Sequence, residues 1–106
     1  MRTARIVCPK TAKRGDILEI KTLINHPMET GYRRDDVGQA IPRDIFKSLA
    51  VTYNGVGVFR ADMFPGTAAN PFMAFTTIAT ESGTLEFTWT DDKGETHVET
   101  VAITVT

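Results

Sequence analysis

Alternation of apolar and polar residues is the feature that most narrows what this chain can become. In TLEFTWTD (84–91), Leu85, Phe87 and Trp89 share one parity, while Glu86, Thr88 and Thr90 share the other. A period of two belongs to a strand with one buried and one solvated face. DILEIKTLIN (16–25) repeats the pattern, with Leu18, Ile20 and Ile24 on one face and Glu19 and Lys21 on the other. The segment 96–106 does so again through Val101, Ile103 and Val105. Between 45 and 64 the chain reads as a hairpin around Asn54-Gly55, because both central residues of a type I′ turn need positive φ. FMAFTTIAT (72–80) is rich in aromatic and β-branched residues, and ARIVC (4–8) runs into Pro9, which marks a strand end or an edge.

About seven short strands with brief turns, and no useful helical periodicity, predict an all-β fold. The expected architecture is an immunoglobulin-like antiparallel β-sandwich spanning residues 1–106 as a single domain, with a small barrel as the alternative. Trp89 is then core. At 106 residues, 42% hydrophobic and 24% charged, the chain is long and apolar enough to bury such a core unaided.

The formal net charge of −1 gives no field for nucleic acid or an anionic membrane. Charge is nevertheless uneven. Arg2, Arg5, Lys10, Lys13 and Arg14 crowd the first fifteen residues, and acids dominate residues 81–106. Neutralisation across neighbouring strands is the simplest expectation. No apolar run is long enough to span a membrane, and MRTARIVCPK lacks the apolar core of a signal peptide, which taken alone favours the cytoplasm.

Nucleophilic catalysis needs a nucleophile, a base and a group that orients the base. Cys8, His26 and His97 have no spacing that brings them together, and Cys8 reads as a small half-buried hydrophobe at a strand end. An iron site of the superoxide-reductase kind would require about four histidines, and the chain has two. His97 is expected as an exposed cross-strand residue. Asp35-Asp36 and Asp91-Asp92 lie in turn sequence, where aspartate bonds its own backbone. No catalytic, cofactor or metal residue is assigned, and no enzyme is expected.

What remains is HPMETGYRRDDVGQAIPR (26–43). Its arginines, Arg33, Arg34 and Arg43, are balanced by Glu29, Asp35 and Asp36, so it is a poor phosphate binder. Gly31 and Gly38 suggest turns. Met28, Tyr32, Val37 and Ile41 add adaptable and aromatic contact groups, and Met, Tyr and Arg are enriched in protein interfaces. The segment is therefore expected to dock a protein partner through Met28, Tyr32, Arg33, Arg34, Ile41 and Arg43.

HPMETGYRRDDVGQAIPRDIF, followed in order by YNGVGV, NPFMAF and LEFTWTDDKGE, resembles the SoxZ family, the Z subunits of the bacterial sulfur-oxidation carrier complex. The likeness runs from Lys13 onward. It implies an immunoglobulin-like sandwich forming a heterodimer with a SoxY-like subunit, whose cysteine on a glycine-rich arm carries thiosulfate-derived sulfur. Other sulfur-oxidation enzymes would then meet the complex transiently. The resemblance also implies a non-catalytic scaffold exported to the periplasm while folded with a signal-bearing partner, which displaces the cytoplasmic expectation. The strand-like ending VAITVT has no such arm, and Cys8 lies outside the matching motifs. A generic extracellular β-sandwich module for binding or adhesion is the rival. Such modules line a face with exposed aromatics, whereas Trp89 and most phenylalanines here fall in core-like phase.

Overall fold

The computed structural model describes residues 4–25, 28, 37–39, 45–63 and 71–106. Among the described residues eight strands form two sheets: β1 (Ala4–Val7), β2 (Thr11–Ala12), β3 (Ile17–Ile24), β4 (Phe46–Tyr53), β5 (Val56–Asp62), β6 (Phe72–Ile78), β7 (Gly83–Asp91) and β8 (Thr96–Val105). One sheet has the order β1-β3-β6 and the other β2-β8-β7-β4-β5. Seven strands follow the expected segments. The eighth, β2, exists because Pro9 cannot donate to a ladder. The chain leaves the first sheet after Val7 and joins the second at Thr11.

All pairings are antiparallel except β2 with β8, where Thr11 lies beside Thr104 and Ala12 beside Val105. The basic beginning therefore does run beside the last strand, but among the described residues no charge pairing joins them. Arg14 Nε donates to the Thr80 carbonyl at 3.2 Å, and the Arg14 amide donates to the Thr106 carbonyl.

Alternation places the core. Leu18, Ile20 and Ile24 from β3 meet Leu49 and Val51 from β4 and Leu85, Phe87 and Trp89 from β7, all essentially inaccessible. Phe59 of β5 stacks on Phe75 of β6 at 4.3 Å between ring centroids, closing the sandwich along one side. Trp89 lies 6.3 Å from Phe87 and 5.9 Å from His97 by the same measure.

One end of the sandwich is tied by its turns. Asn54 (φ 49°) and Gly55 (φ 82°) both have the positive φ that the hairpin needs. The Asn54 carboxamide reaches into the β6–β7 connection, accepting from the Thr84 amide at 2.9 Å and donating to the Ser82 carbonyl at 3.3 Å. It lies so close to Gly83 that a Cβ there would sit 1.7 Å from Asn54 Oδ1. The Tyr53 hydroxyl donates to the Glu81 carbonyl and accepts from the Glu81 amide.

Candidate docking surface

The outward parity of the three-stranded sheet is not the polar surface that a solvated face would carry. Along β3 the outward residues are Ile17, Glu19, Lys21 and Leu23, and along β6 they are Phe72, Ala74, Thr76 and Ile78. Register sets them in rows: Ile17 beside Ile78, Glu19 beside Thr76, Lys21 beside Ala74, Leu23 beside Phe72. Strand β1 adds Arg5 beside Leu23 and Val7 beside Lys21. Ile17 is 67% exposed, Phe72 59%, Ile78 47% and Leu23 40%. Arg5, Val7, Lys21, Leu23 and Phe72 line a shallow depression of about 220 Å³. Large apolar groups gathered on one face of a small domain mark an interaction surface more often than chance exposure.

The sequence does carry a signal for this face. The alternation that buries Leu18, Ile20 and Ile24 leaves Ile17 and Leu23 on the parity of Glu19 and Lys21. In FMAF, both parities hold apolar residues.

The segment 26–43 follows β3 in the sequence. Tyr32, Arg33, Arg34, Ile41 and Arg43 lie outside the described residues. Met28 is described and is core rather than surface, at 4% exposure with φ 53°. Its thioether accepts a hydrogen bond from the Phe46 amide at 3.3 Å, so Met28 itself is tied to the first residue of β4. Val37 is exposed, and Gly38 (φ 81°) makes the expected turn.

The residues that could carry chemistry have structural roles where they are described. Cys8 is half-buried against the core, with its Sγ 3.4 Å from the Pro9 carbonyl. Burial raises the thiol pKa above its ordinary value, so the thiolate needed for nucleophilic attack is scarce near neutrality. Asp91 Oδ1 accepts from the Lys93 and Glu95 amides, both at 2.9 Å, which is the local turn bonding expected of it. Asp92 does more than that. Its carboxylate accepts from the Ile45 amide at 3.3 Å, tying the turn to the start of β4. His97 corrects an expectation: it is half-buried against Trp89, with Nε2 2.9 Å from Glu99 Oε1. It has the same inward parity as Val101 and Ile103, so the strand period itself turns it toward the core. His26 is outside the described residues. Among the described residues no three His, Cys, Asp or Glu side chains converge as a metal site, and no helix is long and apolar enough to cross a membrane.

Comparison with known proteins gives one family and one fold. The model of the family described as sulphur oxidation protein SoxZ matches residues 5–102. No curated protein matches the sequence significantly. The solved structures it resembles include a superoxide reductase (neelaredoxin) from Ignicoccus hospitalis. That match has a TM-score of 0.73 at 18% identity, covering 98% of this chain and 80% of that one. Another is the sulfur carrier protein SoxY from Chlorobium limicola f. thiosulfatophilum, with TM-score 0.68 at 11% identity, covering 96% and 74%. A third is a CARDB domain from Pyrococcus furiosus, with TM-score 0.61 at 16% identity, covering 100% and 88%. At these identities the likeness is one of fold, the immunoglobulin-like β-sandwich.

Proposed function

The chain belongs to the SoxZ family of sulphur oxidation proteins, and from that membership we propose that it is the non-catalytic subunit of a heterodimeric sulfur carrier. Its partner is a SoxY-like subunit that bears the sulfur on an arm cysteine, and other sulfur-oxidation enzymes engage the pair in turn. The match over residues 5–102 carries the reading. Two features support it. Burial holds the Cys8 thiol protonated, which suits a scaffold better than a carrier. The sandwich also has the fold of a solved SoxY, so a like-folded pair is a natural assembly. The complex works in the periplasm, exported with the subunit that bears the signal.

In this reading the segment 26–43 docks the partner through Tyr32, Arg33, Arg34, Ile41 and Arg43. A buried Tyr or Arg anchor contributes about 2 kcal/mol, which is roughly thirty-fold in Kd. Tyr32→Ala, and Arg33→Ala with Arg34→Ala, are expected to weaken the heterodimer by about that factor while the monomer stays folded. Calorimetric titration against the SoxY-like subunit measures the loss. Mass spectrometry of the complex after sulfur loading should find the adduct on the partner, with turnover kept in Cys8→Ser. Unchanged affinity in the variants would remove the docking role of the segment. Stoichiometric sulfur on Cys8 that turnover requires would overturn the scaffold reading.

A further inference from the structure

Along β3 and β6 the outer face of the three-stranded sheet has an order that matches its own reverse, while β1 adds Arg5 and Val7 at the Leu23 end alone. Read along β3 it runs apolar, acid, base, apolar: Ile17, Glu19, Lys21, Leu23. Read along β6 in the same direction it runs Ile78, Thr76, Ala74, Phe72, with a large apolar group at each end and small groups between. Consider two such faces stacked about a twofold axis that lies between them and crosses the strands. β3 then lies over β3 and β6 over β6, with strand directions reversed. Ile17 of one copy meets Leu23 of the other, Ile78 meets Phe72, and Ala74 meets Thr76. Each Glu19 meets the other copy's Lys21, twice by symmetry. Among the described residues Glu19 and Lys21 form no ion pair within their own chain, so both charges are free for the contact.

We infer that this face is a self-complementary interface taking a second copy of the same chain, through an antiparallel stack of the two three-stranded sheets. The inference stands apart from the proposed carrier role, which uses the segment 26–43. Sheets stack about 10 Å apart, close enough for these side chains to interleave. The size of the face sets the strength of the contact. With β3 eight and β6 seven residues long, at ~3.4 Å per residue and ~4.8 Å between strands, the overlapping footprint is roughly 250 Å² per copy, because β1 lies only beside Lys21–Ile24 and overlies no strand of the other copy. That is about a third of what one partner contributes to a standard stable interface, so the dimer is weak and dependent on concentration. A dissociation constant on the order of 0.1 mM is expected. Placing opposite charges centrally also excludes the parallel stack, in which Glu19 would face Glu19.

Sedimentation equilibrium of the isolated chain, from about 10 µM to about 1 mM, tests this with a charge-swap set. The wild type should pass from monomer to dimer across that range. Glu19→Lys alone, or Lys21→Glu alone, sets like charges opposite each other twice and should weaken association at least about tenfold. The double variant Glu19→Lys/Lys21→Glu restores the order and should return to within roughly threefold of wild type. Leu23→Glu should leave only monomer. Titration of the same variants with the SoxY-like subunit should give an unchanged Kd. A wild type that stays monomeric at the highest concentration, or a double variant no better than either single one, would overturn the inference. So would variants that dimerise normally but lose the SoxY-like subunit, since the face would then belong to that partner. If the SoxY-like subunit fails to bind even the wild type, only the carrier reading falls, and the dimer result is judged on its own.

Discussion

The two sheets share one core and differ in what they show on their outer faces. The five-stranded sheet turns out Ala50, Thr52, Arg60, Thr84, Glu86, Thr88, Thr90, Thr96, Thr100, Ala102 and Thr104, with Val98 on β8 the large apolar exception. The three-stranded sheet turns out Val7, Ile17, Leu23, Phe72 and Ile78 around one acid, Glu19, and two bases, Arg5 and Lys21. Threonine satisfies strand geometry while its hydroxyl keeps water, so the larger face is built to remain solvated. The smaller face has the residue types of a core surface, and none of the described residues covers it. The inner parities alone would not separate the two sheets. Their outer parities do.

The comparison holds only while both sheets are halves of one folded unit, and the most damaging change is made at the shared core. Trp89 is fully inaccessible between the layers. Trp89→Ala should cost ~3–5 kcal/mol, the range for emptying an aromatic site. Urea denaturation followed by circular dichroism measures it, and a loss well below that range would mean that the sheets do not depend on this contact.

A smaller effect is expected at the end where Asn54 is locked against the β6–β7 connection. Gly83→Ala places a methyl where the Asn54 carboxamide sits and displaces its bonds to Thr84 and Ser82. The cost should be about 1–3 kcal/mol. Asn54→Ala combined with Gly83→Ala should cost less than the two changes added together, because the clash and the lost bonds are one event. Strict additivity in denaturant titrations would show that the lock is not shared.

The least disruptive change tests the faces directly. Thr100→Lys, opposite Glu86 on the solvated face, should move stability by no more than about 0.5 kcal/mol and leave association untouched. Leu23→Lys should be equally mild for monomer stability but abolish association of the isolated chain in sedimentation. Equal behaviour of the two lysines in both measurements would erase the distinction between the faces.

Local sequence was enough to give this protein its strands, its turns and its buried set. Leu85, Phe87 and Trp89 are inside because a strand's side chains alternate, and Asn54-Gly55 turns because its two residues tolerate positive φ. Those are properties of neighbours along the chain. The docking face was present only as a surplus of apolar residues on the wrong parity. Alternation separates two faces of a strand, but whether a second layer covers either one depends on residues far away. Tertiary structure decided that Ile17, Leu23, Phe72 and Ile78 stay uncovered. It also took the chain from one sheet to the other across Pro9, so that β2 pairs in parallel with β8. For the same reason His97, which looked solvent-exposed in a polar stretch, lies against Trp89. Its parity was fixed by the strand, and its burial by the sheet packed opposite.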